Sequence, residues 1–247
     1  MTFKIAFNTT RYYSINFDLP RRNKRLIKFV IIHYTGMKKE SEAIKRLCNY
    51  KSKVSSHYFI KNNGKILNLV PDQYKAWHAG KSYWKNFKSL NEYSIGIEIN
   101  NPGHYYNYRK FSSNQISSLA KLLKYLMKKY KIKKKNILGH SDISPDRKKD
   151  PGEKFPWNIL AKKKLCIWHK LNENRLKKLR NLKLNYNDEK IFFKHLYDIG
   201  YPKINRSNLK NSKIYIIKAF QRRFRQNLIN GKTDKECLLI SKNLTES

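Results

Sequence analysis

The sequence predicts an α/β fold followed by a small helical C-terminal part. Three observations carry that expectation. Short apolar, β-branched runs recur through the first 140 of the 247 residues. A strongly periodic helical stretch separates two of those runs. Beyond residue 187 only helix-spaced patterns remain, each with a start or stop signal.

Taken in order, residues 26–34 (LIKFVIIHY) predict a buried strand that closes on His33. Residues 41–51 predict a short helix. Residues 54–70 predict a hairpin, VSSHYFI and KILNLV joined by the turn Asn62, Asn63, Gly64. Residues 94–100 (SIGIEIN) alternate strictly, with Ile95, Ile97 and Ile99 on one face and Gly96, Glu98 and Asn100 on the other. Ser112 and Gln115 then form a capping-box pattern. After it Ile116, Leu119, Leu122, Leu123, Leu126, Met127 and Tyr130 recur at helical spacing. Residues 136–139 predict a short strand that delivers His140.

After Trp157 the composition shifts. Residues 161–187 are rich in Lys and Asn, which suits a linker or a surface helix. Three short helices are expected beyond it. Residues 188–199 stop at Gly200 and Pro202; residues 212–225 carry Ile214, Ile217, Phe220 and Phe224 at helical spacing, with Ile217, Phe220 and Phe224 expected as a mini-core; residues 233–244 open on a Thr233/Glu236 capping pattern. The division is therefore 1–160, a linker 161–187, and a helical module 188–247.

Composition excludes several classes. Aromatic residues make up 13% and hydrophobic residues 40% of the chain, too many for a disordered polycation. No apolar run reaches the length of a transmembrane helix, and residues 1–10 lack a signal peptide's apolar core. The expectation from this is a cytoplasmic protein, with the periplasm or outer membrane as the alternative if a leader was removed or export is unconventional. Cys48, Cys166 and Cys237 lie far apart and form no disulfide framework; they are expected in the core. The net charge of +38 invites a polyanion partner. However, only 13 of the 55 cationic residues are Arg, and the Lys residues are scattered through every segment. The excess of Lys, Asn, Ile, Tyr and Phe fits an adenine- and thymine-rich coding bias, so no specific nucleic acid is expected as partner.

The sharpest set of chemistry-bearing residues is His33, His140 and Asp150. Two imidazoles and a carboxylate suit Zn²⁺ with a fourth position open to water. Spacing alone leaves this open, because a histidine at a strand end is more often structural.

Seven segments occur in order: IIHYT (31–35), VSSHYFI (54–60), AWHAG (76–80), SIGIEI (94–99), GHSDISP (139–145), RKKDPG (147–152) and FPW (155–157). Together they resemble the zinc-dependent N-acetylmuramoyl-L-alanine amidases of the amidase_2 group, AmiD/AmpD type. The likeness spans about residues 25–160. IGYP (199–202), IKAFQRRFR (217–225) and NGKTD (230–234) are similar to the C-terminal peptidoglycan-binding module of AmiD-type enzymes.

The resemblance implies a central mixed sheet flanked by helices, as in peptidoglycan-recognition folds, and one zinc ion per chain. It implies hydrolysis of the amide between N-acetylmuramic acid, or its 1,6-anhydro form, and L-alanine, in cell-wall turnover or muropeptide recycling. His33, His140 and Asp150 fall on the family's ligand positions, Glu98 on its catalytic glutamate and Lys148 on its catalytic lysine. The motif places that lysine two residues before the aspartate, which selects Lys148 over Lys149. Asp142 is expected to be a turn or capping residue, and Asp146 is left out of the metal site.

His57 and His78 lie inside matched motifs but off the ligand positions, so substrate contact, support of a ligand and a plain structural role stay open. Tyr34 and Trp77 are candidates to stack on sugar or peptide, and Asn100 to bond peptide amides. His104, His169 and His195 match nothing functional. A non-catalytic peptidoglycan-recognition protein on the same fold is the alternative; such proteins typically lose a zinc ligand, and this chain keeps all three.

Overall fold

The β-branched runs of the first half pair into one sheet because each buries side chains on both faces. The computed structural model describes residues 12–203 and 209–246. In chain order the elements are β1 (Phe17–Asp18), β2 (Phe29–Tyr34), α1 (Glu40–Cys48), β3 (Tyr58–Ile60), β4 (Ile66–Asn68), β5 (Lys75–Ala76), β6 (Tyr83–Trp84), β7 (Phe87–Lys88), β8 (Ser94–Ile99), α2 (Ser113–Tyr130), β9 (Ile137–Gly139), α3 (His140–Ile143), α4 (Trp157–Lys162), α5 (Glu173–Leu179), α6 (Tyr186–Ile199), α7 (Leu209–Phe224) and α8 (Lys235–Thr245). The contacts divide them into two units.

The first unit holds residues 12–80 and 89–138 of the described chain. Its sheet has the order β4-β3-β8-β2-β9. β2 and β3 both run parallel to β8, while β4 returns antiparallel to β3, so the sheet is mixed as expected. Parallel strands are covered on both faces, and Val30, Ile31, Ile32, Ile95, Ile97 and Ile99 are all fully buried. Each such aliphatic side chain contributes about 2 kcal/mol relative to exposure.

The pleat decides what each face carries. Val30, Ile32 and Tyr34 pair with Ile95, Ile97 and Ile99; Ile31 and His33 pair with Gly96 and Glu98. Neighbours in a parallel register point to the same side, so His33 and Glu98 share one face and the three isoleucines share the other. On the isoleucine side, α2 brings Tyr130 and Lys129 to the Asp72 carboxylate, 2.6 and 2.8 Å away, and Tyr58 donates to the same group at 2.7 Å. On the His33 side, α1 buries Ala43, Ile44 and Leu47 against Phe59 and Leu67.

Helix α2 begins with both halves of the expected capping box: Gln115 N–H donates to Ser112 Oγ at 3.2 Å and Ser112 N–H to Gln115 Oε1 at 3.0 Å. The two-residue ladders β1–β5 and β6–β7 had no sequence signal, since two residues show no period.

The second unit holds residues 81–88 and the chain from Gly139 onward. Phe192, Leu196, Ile217, Phe220, Phe224, Cys237 and Ile240 are buried in it, with Phe192 and Phe220 edge-to-face at 5.4 Å. This is the mini-core expected from the helical spacing. One detail differs from expectation. The start of α8 is capped by Asp234, which accepts from Cys237 N–H at 2.9 Å, and not by Thr233; Glu236 turns instead to Arg180, which binds it through Nε and Nη2 at 2.7 Å each. The segment 161–187, expected as a linker or a surface helix, contains α5, whose Leu176 is buried, and Leu165 and Cys166 are buried too. A seven-residue helix with one apolar contact leaves no repeat to read. Residues 204–208 lie outside the described residues. No helix among the described residues is long and apolar enough to cross a membrane.

Candidate metal centre and active site

Three chain segments deliver the candidate ligands. His33 is the fifth residue of β2, on the face shared with Glu98. His140 follows β9 directly and opens α3. Asp150 lies midway along the loop between α3 and α4, and Ser141 N–H donates to the Asp150 carbonyl at 2.8 Å, which ties that loop back to the helix. One ligand atom from each of His33, His140 and Asp150 lies within 4.8 Å of the other two, and all three residues are buried. Among the described residues this is the one such cluster of His, Cys, Asp and Glu. Within it His140 Nδ1 is 3.0 Å from Asp150 Oδ2. Asp142 and Asp146 stand outside the cluster, as expected.

The orientation of His33 follows from a chain of hydrogen bonds. Ser94 Oγ donates to the Leu90 carbonyl at 2.5 Å, leaving its lone pairs toward His78 Nε2 at 3.3 Å. His78 therefore carries its proton on Nε2 and accepts at Nδ1 from His33 Nε2, 3.1 Å away. That leaves His33 Nδ1 as the basic nitrogen, the form a metal-binding imidazole needs. Asn91 fixes the backbone of this segment by accepting from His78 and Ala79 N–H at 3.1 and 2.7 Å. The ring of His78 fits only because residue 96 is glycine: a Cβ there would lie 2.7 Å from His78 Nδ1 and nearer still to Cγ.

His57 lies one layer further back. It is fully buried and accepts from Gly96 N–H at Nδ1 (2.9 Å), so its Nε2 donates to the Tyr74 carbonyl (3.0 Å). Arg22 Nη2 lies 3.0 Å from the same nitrogen. Burial, followed by the Arg22 charge, pushes the imidazole down to about 3, so the ring is neutral. His57 and His78 thus support the sheet and His33.

The remaining expected contacts separate in the same way. Asn100 is 3% exposed and its amide donates to Asn62 Oδ1 at 2.9 Å while Thr35 Oγ1 donates to its oxygen at 3.4 Å. Its side chain is thereby tied to the strand ends. Tyr34 points to the sheet face opposite His33; its hydroxyl is 2.7 Å from His104 Nδ1, and the His104 ring stacks on Tyr108 at 4.4 Å. Trp77 is half-buried and donates from Nε1 to Asp18 at 2.7 Å, which fastens β1 beside β5. His104 therefore has a structural partner, as has His195, whose Nδ1 is 3.0 Å from Ser241 Oγ, while His169 is buried and stacked on Trp168.

Glu98 is half-buried on the metal-ligand face, beside His33 in register. Lys148 is half-buried and its N–H donates to the Ser144 carbonyl at 3.0 Å, whereas Lys149 is exposed. The thiols of Cys48, Cys166 and Cys237 are all pushed up by burial, Cys166 to about 12, which excludes a ready thiolate nucleophile.

A sequence pattern described as N-acetylmuramoyl-L-alanine amidase (Amidase_2) matches residues 22–153, the stretch that supplies all five of these polar groups. The chain belongs to this family. It is 35% identical over 233 residues to the Escherichia coli N-acetylmuramoyl-L-alanine amidase AmiD, covering 89% of this chain and 83% of AmiD. It is 42% identical over 109 residues to the Haemophilus influenzae 1,6-anhydro-N-acetylmuramyl-L-alanine amidase AmpD, covering 44% of this chain and 57% of AmpD. The structure of E. coli AmiD in complex with anhydro-N-acetylmuramic acid-L-Ala-D-γ-Glu-L-Lys superposes with a TM-score of 0.78 at 32% identity, over 93% of this chain and 91% of the other. AmpDh3 from Pseudomonas aeruginosa gives 0.75 at 27% identity over 99% and 98%. This amidase therefore shares its fold with AmiD along nearly the whole chain, C-terminal helices included, and its enzyme class is amide hydrolysis.

Sequence reasoning missed Arg22, Asn91 and Ser94 as supports of the histidines. Arg22 and Asn91 sit in irregular segments with no pattern to mark them. Ser94 had a weak signal, a polar residue opening an otherwise apolar strand.

Proposed function

We propose that this amidase cleaves the bond between the lactyl carbonyl of N-acetylmuramic acid, or of its 1,6-anhydro form, and the L-alanine nitrogen, with Zn²⁺ held by His33, His140 and Asp150. The observation that carries the reading is the buried His-His-Asp cluster with Glu98 beside His33 on the same sheet face. The donor set fits zinc: two imidazoles and a carboxylate, with the Nδ1 lone pair of His33 presented by the hydrogen bond to His78. Zinc in such a site acidifies a water and polarises a carbonyl oxygen.

The chain's own groups account for the proton traffic. Glu98 accepts the proton of the attacking water and delivers it to the alanine nitrogen as the C–N bond breaks. Lys148 places its ammonium against the oxyanion of the tetrahedral state; Lys149, facing solvent, has no such duty. The excess positive charge draws in stem peptides, which carry free carboxylates. The C-terminal helical part, like that expected of AmiD-type enzymes, is assigned to holding peptidoglycan.

Replacing Glu98 with Ala tests this assignment. The variant retains one zinc per chain and loses turnover of anhydro-muramyl peptide; full activity in the zinc-loaded variant removes Glu98 from the mechanism. A non-catalytic recognition protein on this fold would bind muropeptide and release no peptide in either form.

A further inference from the structure

We propose that the C-terminal helices hold the metal ligand His140 in place, through Arg223 and Tyr201 acting on Asp142; the inference rests on the zinc reading above. Asp142 lies two residues after His140 and is fully buried. Its Oδ2 accepts from Gly139 N–H at 2.8 Å, the peptide that leads into His140. The same oxygen accepts from Arg223 Nη1 at 2.5 Å, and Oδ1 accepts from the Tyr201 hydroxyl at 2.8 Å. Arg223 and Tyr201 are each only 2% exposed. One follows α6 and the other sits in the last turn of α7, 59 and 81 positions further along the chain than Asp142.

The surroundings show that this contact is built in. The Arg223 guanidinium lies over the Trp157 ring at 4.4 Å from its centroid, and Trp157 closes against the chain at Gly139, where a Cβ would stand 3.2 Å from it. The ring of Tyr201 is gripped edge-on by Trp84 at 5.0 Å. A buried arginine–carboxylate pair is a poor source of net stability but a strong constraint on geometry, because removing one partner strands the other in a dry site. Here the constrained element is the first turn of α3, which carries His140 at its start. The peptide before the ligand, the ligand itself and Asp142 move as one piece, and the two C-terminal helices determine where that piece sits. Arg223 and Tyr201 are thus positioning residues: neither belongs to the cluster of ligands, and both act through Asp142.

The test uses the full-length protein and zinc, with affinity measured by competition against a chromogenic chelator. Tyr201→Phe removes one hydrogen bond and keeps the ring, and Arg223→Met removes the charge while filling the space. Each is expected to weaken zinc binding about ten-fold, the effect of losing a group that orients a ligand, and to lower kcat with little change in KM. Arg223→Lys should recover part of the loss. Arg225→Met is the control for damage to the helices themselves: Arg225 is as deeply buried but pairs with Asp234 and Glu236, so its loss should leave zinc affinity at the wild-type value. If Arg223→Met does not fold, Tyr201→Phe decides. Wild-type zinc affinity in folded Tyr201→Phe overturns the inference, and so does an equal loss of affinity in Arg225→Met. Failure of the wild-type protein itself to bind zinc sinks the metal reading, and the inference with it.

Discussion

Gly96→Ala is a one-methyl perturbation whose consequence can be worked out step by step. Residue 96 is in the middle of β8, where alanine has no backbone penalty, so any cost comes from what the methyl meets. The added Cβ would stand 2.7 Å from His78 Nδ1 and Cδ2. Ordinary contact needs about 3.5 Å or more, so the imidazole must retreat by close to 1 Å. The His33–His78 bond of 3.1 Å cannot survive that displacement. Overpacking of a dense site costs about 1–3 kcal/mol, and the lost hydrogen bond adds about 1 kcal/mol. Denaturant unfolding of the zinc-free protein should therefore show a loss of about 2–4 kcal/mol, the sum of those two effects. Zinc affinity should also fall 10- to 100-fold, because His33 has lost the partner that sets its tautomer. The double variant Gly96→Ala/His78→Ala removes the clash and should recover stability but not zinc affinity, a non-additivity expected of groups in contact. A single Gly96→Ala variant with unchanged stability and zinc affinity would refute the reasoning.

Other expectations are simpler. Lys148→Ala should lower kcat by about 10²–10³ with little change in KM, as for loss of an oxyanion partner, while Lys149→Ala stays within about two-fold; equal effects at both positions contradict the assignment, and steady-state kinetics on a soluble muropeptide decide it. Acid stability should fall in two windows, followed by denaturant midpoints against pH. His57 is held neutral, its pKa lowered from 6.5 to about 3, so the unfolded chain takes up a proton first and stability declines from about pH 6.5 downward. Asp72 is also lowered: burial would raise it, but hydrogen bonds from Lys129, Tyr130 and Tyr58 outweigh burial. Its contribution is present above the unfolded value near 3.8 and is lost as pH falls below it, so Asp72→Asn should flatten the curve there and leave the decline from pH 6.5 intact. Finally, kcat/KM should fall as ionic strength rises, since a charge of +38 attracts anionic substrate only within the screening length; a salt-independent rate removes electrostatic capture from the account.

The sheet was legible because β2 and β8 are long enough for alternation to show, and the same alternation put Glu98 on the face opposite three isoleucines. Helix α2 announced both its cap and its stripe. The His33, His140 and Asp150 cluster was not legible from spacing, since two of its members are more than 100 positions apart; it was reached through ordered motifs, and the coordinates bring the three together. The sequence alone could not separate a cleft-facing role from a supporting one for Asn100, Tyr34, His57 and His78, for a shared reason. Being near a site in sequence does not say whether a polar group faces the cleft or is consumed by a neighbour, and Asn62, His104, Gly96 and His33 are the neighbours that consume them. Arg223 did leave a trace: with Phe220 and Phe224 it sits on the apolar stripe of α7, where an arginine is out of place unless a buried carboxylate meets it. The charge of +38, the most conspicuous feature of the composition, says least about the chemistry.

The central claim is metal-dependent hydrolysis of the muramyl–L-alanine amide. Digestion of 1,6-anhydro-N-acetylmuramyl peptide and of intact sacculi, side by side, with the products identified by mass, tests it most directly. The account predicts free stem peptide beginning with an unblocked L-alanine, loss of that product after chelation, and its return when one equivalent of zinc is restored. Release of sugar fragments that still carry peptide, or undiminished cleavage by the metal-free protein, would contradict it.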